Sequence, residues 1–283
     1  MTAYLKLILE KTGIRPSLTQ SVLDRLKERK SAPNDLTTTQ QMFLQWNAER
    51  LGISIEESKN RYFNSWKIFD KGHQGDEFGV IGKLIQEMYE VFADNSHQEI
   101  FDAYKLNAPH HFLRMLSYAE PEWNDKNPVI QELGQRSQIT IMDFGCGLAQ
   151  MSRTLSAYLL NQSRQVNLVL LDIPTIRKEF LLWQGNRIGI PTTFLDCTMD
   201  SPIPELPACD VCFATEFFEH VYNPLLYFER IHAALNAGGL LITHIRDHYK
   251  SFCHVSPNLE EIRNRLKDLC YEEISTYEMY RKK

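Results

Sequence analysis

The sequence has 283 residues, and its 43% hydrophobic and 24% charged side chains are typical of a globular protein and exclude a disordered chain. Its 31 Lys and Arg residues against 36 Asp and Glu residues give a formal net charge of −5, which argues against a nucleic-acid partner. No apolar run is long enough to span a membrane and no signal peptide is visible, so we expect a cytoplasmic protein without a membrane partner.

Residues 1–124 have the pattern of an α-helical N-terminal domain. Leu18, Val22 and Leu26 recur with helical spacing. Ser54–Glu57 and Ser96–Glu99 each fit the capping box that begins a helix, in which the Ser and Glu side chains cap each other's backbone amides. We interpret this part as a lid that selects a small-molecule acceptor and that could provide the surface of a homodimer.

Residues 125–283 alternate short β-rich runs with helix-length spacers. Strands are predicted over residues 139–144, 166–172, 192–196, 210–215 and 239–245. This alternation predicts a Rossmann-like α/β domain with a doubly wound, mostly parallel sheet. The chain then continues with a predicted helix over 259–269 and one or two closing strands over 271–282.

The first predicted strand leads into the loop Asp143-Phe-Gly-Cys-Gly-Leu-Ala-Gln150, after which a helix begins near Met151. Gly145 permits a tight turn, and Gly147 lets a ligand approach the backbone at a helix N-terminus. A phosphate-binding P-loop would need a Lys, and none occurs from residue 139 to 152. A dinucleotide fingerprint would need Gly or Ala where Gln150 stands. An ordinary tight turn without a ligand remains an alternative for the loop alone.

A carboxylate follows each of the next two predicted strands. Asp172 lies 25 residues after Gly147, where an acidic side chain can accept hydrogen bonds from both hydroxyls of a ribose. Asp196, followed by Cys197, ends the third strand and is suited to accept a hydrogen bond from the amino group of an adenine. Because open α/β sheets bind ligands at the carboxyl ends of their strands, the two carboxylates together favour a nucleoside-containing ligand.

These features and two later ones follow each other at fitting spacings. The later ones are Glu216-Phe-Phe-Glu-His-Val221, after the fourth strand, and the pair Gly238-Gly239. Together they resemble the small-molecule branch of the class I S-adenosylmethionine-dependent methyltransferases over residues 125–283, although Asn236-Ala237 replace the family's Lys-Pro. The resemblance implies S-adenosylmethionine as the cofactor, with these residues around it: Asp143, Gly145 and Gly147 at the methionine moiety, Asp172 at the ribose, Asp196 and Cys197 at the adenine, Glu216 near the sulfonium, and Cys146 and Ile173 as further cofactor-binding residues.

The implied reaction moves a methyl group to an O or N atom of a small molecule, and the acceptor then has to lose a proton. Glu219, His220 and His254 are the candidate catalytic residues, because they are expected at the mouth of the cleft and because an imidazole titrates near neutral pH. The alternative is a structural role, in which the Glu219–His220 pair caps the next helix or holds the loop.

Glu216-x-x-Glu219-His220 also resembles the divalent-ion motif of ubiquinone-pathway and small-RNA O-methyltransferases, with His254 available as a fourth ligand. The same letters occur in metal-free relatives, so a divalent metal is not the favoured prediction, and the acidic charge argues against RNA. Three other functions remain open: methylation of a protein side chain, a cofactor-binding module without turnover, and a nicotinamide-dependent reductase.

Overall fold

The structure is a computed structural model that describes residues 36–62, 96–106, 112, 115–116, 118–247, 254–276 and 278–283. The chain divides into two compact units between Gly82 and Lys83. The predicted helical stripe at Leu18–Leu26 lies outside the described residues, and the division predicted at residue 124 stays a prediction. None of the described helices combines the length and the apolarity that crossing a membrane requires.

Helix α1 (Thr38–Leu51) lies in the first unit and is fixed at both ends by local chemistry. The Thr37 hydroxyl accepts a hydrogen bond from the Gln40 amide, and the Gln40 side chain accepts one from the Thr37 amide, which completes a capping box. Gly52 ends the helix in the left-handed conformation. Phe43 is buried against the ring of Tyr62, so the described part of this unit has an apolar core.

The second unit contains a seven-stranded sheet. Its strands are β1 (Gln138–Phe144), β2 (Gln165–Asp172), β3 (Thr192–Asp196), β4 (Cys209–Ala214), β5 (Leu235–Thr243), β6 (Glu272–Ser275) and β7 (Met279–Arg281). The helices among its described residues are α2 (His97–Leu106), α3 (Pro128–Leu133), α4 (Gln150–Asn161), α5 (Ile176–Ile188), α6 (Pro224–Ala234) and α7 (Glu260–Asp268), and Phe218–His220 forms a 3₁₀ turn. The strand order is β3-β2-β1-β4-β5-β7-β6.

Strands β1 to β5 are parallel, and β7 runs antiparallel to both of its neighbours. The predicted Rossmann-like, mostly parallel sheet is therefore confirmed. Residues of α4 and α5 pack on one face of the sheet, and residues of α6 and α7 pack on the other. Burial on both faces explains why the sequence of β2 is nearly continuous in apolar residues instead of alternating.

The pair Gly238-Gly239 lies inside β5, whereas the sequence predicted that this strand begins only at residue 239. Leu235 pairs with Cys209 and Leu240 pairs with Val211, so five steps along β5 match two along β4. Gly238 has a φ of 69°, which makes this irregularity a bulge that only glycine adopts without strain. The strand consequently begins four residues earlier than predicted.

The parallel register aligns the carboxyl ends of the strands along one edge of the sheet. Asp172 at the end of β2 lies directly opposite Asp196 at the end of β3. Ala214 at the end of β4 lies opposite Thr243 at the end of β5, and the Thr243 hydroxyl donates to the Ala214 carbonyl at 2.9 Å. Residues that follow these strands therefore collect at the same edge.

Gly185 in α5 makes a close approach to β3 that we expect to be sensitive to substitution. A Cβ atom added to Gly185 would lie 2.3 Å from the Thr192 hydroxyl oxygen. We expect Gly185→Ala to lower the free energy of unfolding by about 1–3 kcal/mol, although alanine is the better helix former by about 1 kcal/mol. Urea unfolding measures the change, and the exposed neighbour Asn186→Ala, which should not destabilise, is the control. Equal stability of Gly185→Ala and the parent would show that this contact relaxes freely.

Candidate cofactor and acceptor site

The loop after β1 turns tightly through two glycines. Gly145 and Gly147 have φ angles of 69° and 55°, in the left-handed region that favours glycine. A Cβ atom on Gly145 would lie 2.5 Å from a ring carbon of Phe217. The amides of Gly145 and Cys146 both donate to the Leu171 carbonyl, which ties the loop to the end of β2. The predicted strand, glycine turn and helix are thus found in the predicted order.

Asp172 points at this loop from the end of β2. One of its carboxylate oxygens accepts a hydrogen bond from the Gly147 amide at 2.9 Å, and the other accepts one from the Ile173 amide at 2.7 Å. The Arg177 guanidinium lies 3.3 Å away, and both side chains are largely buried. The carboxylate is therefore held beside Gly147, at the position that the sequence predicts for the ribose.

Asp196 forms an ion pair with Lys178, whose Nζ lies 2.7 Å and 2.8 Å from its two carboxylate oxygens. About a third of each side chain remains exposed, so water weakens this pair and a ligand can take the place of the lysine. Cys197 follows, and its amide donates to the Asp172 backbone carbonyl at 3.0 Å. The predicted ribose and adenine residues are thus neighbours, held by consecutive residues of α5.

Asp143 is buried, with 5% of its surface exposed. This burial raises the pKa of its carboxyl to about 7, and the nearby charge of Asp172 adds to the increase. A hydrogen bond from the Ser152 hydroxyl opposes it. Burial also raises the pKa of the Cys146 thiol, so this cysteine stays protonated and is not a nucleophile.

Glu219, His220 and His254 form a cluster in which one ligand-type atom of each lies within 4.8 Å of those of the other two. Glu219 is completely buried in the 3₁₀ turn, and its burial raises the pKa of its carboxyl to about 7. Its carboxylate lies 4.0 Å from Nε2 of His220, and the two imidazole rings meet edge to face at 4.9 Å. The structure therefore brings together the three predicted catalytic residues.

Glu216 binds a residue that the sequence analysis did not identify. Its carboxylate lies 2.7 Å from Nδ1 of His244, and this hydrogen bond raises the pKa of His244. Glu216 is also held in the left-handed region with a φ of 51°, a strained conformation for a residue with a side chain. His244 follows β5 as Glu216 follows β4, so their positions after adjacent parallel strands were the signal that could have predicted the pair.

Helix α2 reaches the Glu219–His220–His254 cluster through Tyr104, whose hydroxyl lies 2.9 Å from Nδ1 of His220. At the other end of the same helix, His97 contacts the ring of Tyr222 edge-on at 5.5 Å. Tyr104 and His220 are separated by 116 residues, so no local pattern in the sequence indicates this contact.

The chain before β1 crosses the glycine loop. The Met115 sulfur occupies the space beside Gly147, only 3.0 Å from where a Cβ atom of that glycine would lie. The Gln150 side chain donates to the Met115 carbonyl at 3.1 Å, and Arg153 forms an ion pair with Glu120 at 3.0 Å. Gln150, which distinguishes this loop from a dinucleotide fingerprint, thus anchors the segment that covers it.

Comparison with known proteins identifies a known domain type in part of the second unit. Residues 142–243 match a family model described as a methyltransferase domain. The matched residues include the glycine loop, Asp172, Asp196 and Glu219, in agreement with the family resemblance seen in the sequence. No curated protein matches the sequence.

Several solved structures are similar to part or nearly all of this chain. A SAM-dependent methyltransferase from Aquifex aeolicus has 17% identity over 62% of this chain and 98% of its own, with a TM-score of 0.43. Phosphoethanolamine N-methyltransferase 2 of Haemonchus contortus has 16% identity over 64% of this chain and 45% of its own, with a TM-score of 0.47. An enzyme of a pericyclic reaction has 12% identity over 99% of this chain and 98% of its own, with a TM-score of 0.49.

The cluster in the methyltransferase domain has a donor set that suits a divalent ion. One carboxylate and two imidazoles are ligands that zinc, manganese and iron accept in proteins. Of the four ligands that the metal motif implies, Glu219, His220 and His254 lie together, whereas Glu216 is hydrogen-bonded to His244. The residues present therefore fit a three-ligand site.

We expect the buried carboxyl of Asp143 to make the methyltransferase domain less stable as the pH rises. Its pKa is raised from 3.8 to about 7, so between these values the folded protein holds a proton that the unfolded chain releases. The stabilisation that this carboxyl group contributes is complete below pH 4 and is lost as the pH rises to 7. Between pH 5 and pH 8, the free energy of unfolding of Asp143→Asn should therefore rise by about 2–3 kcal/mol relative to that of the parent.

Urea unfolding of both proteins at pH 5 and pH 8 measures this difference. The exposed Asp268→Asn is the control for a change of charge alone and should follow the parent at both pH values. A parallel pH dependence of Asp143→Asn and the parent would contradict the assignment of a raised pKa to this carboxyl.

Proposed function

We propose that this chain transfers a methyl group from S-adenosylmethionine to an O or N atom of a small-molecule acceptor. The observation that carries the proposal is the carboxylate of Asp172, which is hydrogen-bonded to the Gly147 amide and lies directly opposite Asp196. A carboxylate beside a glycine loop can accept hydrogen bonds from a ribose, and its neighbour on β3 can accept one from an adenine amino group.

The charges around the loop suit a cationic cofactor. S-adenosylmethionine carries a sulfonium, and the carboxyl group of Asp172 lies close enough to Asp143 for its charge to raise the pKa of Asp143. Glu216 and Glu219 add carboxyl groups beyond β4. Residues 139–152 offer no Lys or Arg to a pyrophosphate, and the cations Arg177 and Lys178 already pair with Asp172 and Asp196, so a phosphate-containing cofactor is disfavoured.

In the proposed reaction, a lone pair on the acceptor O or N attacks the methyl carbon in line with the C–S bond. The electron pair of that bond goes to sulfur and leaves neutral S-adenosylhomocysteine, while the acceptor's proton passes to a base. Most of the acceleration comes from holding the acceptor about 3–3.5 Å from the methyl carbon. Glu219 and the two imidazoles beside it are suited to take the proton, because the pKa of Glu219 is about 7 and imidazole titrates near neutrality.

The burial of the cluster supports a small acceptor over a protein side chain. The Glu219 side chain is fully buried, and only 25% of the His220 side chain is exposed. Tyr104 of α2 covers one edge of the imidazole. Because these side chains are mostly buried, we expect a small molecule to reach them more readily than a residue on a folded surface.

A metal-assisted form of the same reaction is the second candidate, and the grouping of Glu219, His220 and His254 favours it. These three residues would hold a divalent ion. The ion would act as a Lewis acid that lowers the pKa of an acceptor hydroxyl. Glu219, buried and next to both imidazoles, would then serve as an anionic ligand instead of a base.

We expect Asp172→Asn to weaken S-adenosylmethionine binding by about 10- to 100-fold, because the variant loses a charged acceptor for the ribose hydroxyls. Calorimetric titration with S-adenosylmethionine measures the change, and Asp268→Asn, which alters an exposed carboxylate elsewhere, should bind like the parent. No binding by the parent protein, or equal binding by Asp172→Asn, would contradict the placement of the cofactor.

We expect Glu219→Gln to bind S-adenosylmethionine normally and to lose about 10²- to 10⁴-fold in kcat, since amide nitrogen and oxygen neither take a proton nor ligate a cation as a carboxylate does. Acceptors are found by screening phenols, amines and carboxylic acids with radiolabelled S-adenosylmethionine. Activity that a chelator abolishes and Mg²⁺, Mn²⁺ or Zn²⁺ restores would select the metal-assisted form. An unchanged kcat of Glu219→Gln would show that the cluster takes no part in the reaction.

A further inference from the structure

We propose that Ser256 is a positioning residue for the Glu219–His220–His254 cluster, and that it holds His254 against His220 by binding the 3₁₀ turn on both sides of His220. The inference deepens the proposed function and rests on it. It assigns a role to the segment that follows His254, which the proposed reaction does not otherwise use.

Ser256 makes two hydrogen bonds to the 3₁₀ turn and the residue after it. Its backbone amide donates to the Glu219 carbonyl at 3.0 Å, and its hydroxyl donates to the Val221 carbonyl at 2.7 Å. These carbonyls belong to the residues immediately before and after His220. A single residue therefore binds the backbone on either side of this imidazole.

His254 lies two residues before Ser256, so the same contacts limit where its ring can lie. Val255 between them is buried, with 8% of its surface exposed. Pro257 restricts the backbone of the residue before it, which is Ser256. The segment is thus held by hydrogen bonds, by burial and by a proline, and the His254 ring meets the His220 ring edge to face at 4.9 Å.

The continuation of this segment is bound to the chain that follows β5. The Leu259 amide donates to the Asp247 carboxylate at 3.0 Å, and Arg263 of α7 donates to the same carboxylate at 2.8 Å. These contacts join the segment to the end of β5, whereas Ser256 joins it to the turn after β4. The segment consequently bridges the two strand ends whose following residues form the cluster.

The separation of the two imidazoles matters to both forms of the proposed reaction. Two ligands of one ion, or a base and the group beside it, act together only while they keep their relative positions. The substitution Ser256→Ala removes the hydroxyl and leaves every member of the cluster unchanged. It therefore tests the placement of His254 separately from its chemistry.

The first test is the contact between the two imidazole rings in the full chain. Deuterated protein with protonated histidine rings gives few signals, and those lost in His220→Asn and in His254→Asn identify the two residues. We expect a nuclear Overhauser cross-peak between their ring protons in the parent and in Ser256→Thr, which keeps the hydroxyl, and its loss in Ser256→Ala. Ser137→Ala, at an exposed serine, is the matched control and should preserve the cross-peak.

His232 in α6 is the internal control for the fold, because its Nδ1 lies 2.9 Å from the Tyr271 hydroxyl and its signals do not depend on the cluster. With these signals unchanged, a cross-peak of parent strength in Ser256→Ala would overturn the inference, as would the absence of the cross-peak in the parent. This readout needs no acceptor. Absence of methyl transfer by the parent would therefore count against the proposed function alone.

The second test is a double-mutant cycle with an acceptor found by the screen. Ser256→Ala should lower kcat by about 10- to 100-fold, with the KM for S-adenosylmethionine unchanged, as for residues that orient a functional histidine. In the His254→Asn background the same substitution should change kcat by less than about twofold, because the ring that it positions is gone. Equal fold-changes in both backgrounds would show that Ser256 acts by another route and would overturn the inference.

Discussion

Parallel pairing of β1 with β2 on one side and β4 on the other is the constraint on which the rest of the structure depends. Both faces of these strands are buried, so a shift of one residue would move each side chain to the opposite face and disrupt both halves of the core. The register is consequently fixed, and the carboxyl ends of the strands lie along one edge. Every group that the proposed reaction uses follows one of these ends or packs against it.

The same edge concentrates features that lower stability. Asp143 and Glu219 are carboxyl groups held in surroundings that disfavour their charged forms. Ala149 and Glu216 occupy the left-handed region, where each non-glycine residue costs on the order of 1 kcal/mol. The buried sheet offsets these costs, because its apolar core extends over both faces. Groups with a pKa near 7 and fixed directions suit proton exchange better than they suit the stability of a resting fold.

Much of this arrangement was predictable because its signals are local. The apolar run of β2 followed by Asp172, and the two glycines after β1, each indicate an element and its end within a few residues. The bulge at Gly238 was not predictable in this way, since the same glycine pair fits a turn before a strand equally well. Its register depends on the pairing partner, which the local sequence does not contain.

The contacts that complete the site were less accessible to sequence reasoning. Tyr104 with His220, and Gln150 with the Met115 carbonyl, join segments that are far apart along the chain. Both depend on how a helix or a coil packs on the sheet, and a tyrosine or a glutamine on a helix is most often exposed. His244 is an intermediate case, because its position after β5 was predictable while its bond to Glu216 was not.

Polar side chains in the first, second and third turns of α4 bind the chain that precedes β1. Trp123 donates to Thr154, and Tyr158 donates to Asp125, beyond the contacts that Gln150 and Arg153 already make. The segment around the predicted division at residue 124 is therefore packed on α4 within the second unit and does not act as a free tether. A truncation that began at the first strand would remove these partners, so the shortest self-contained form of the domain begins before Met115.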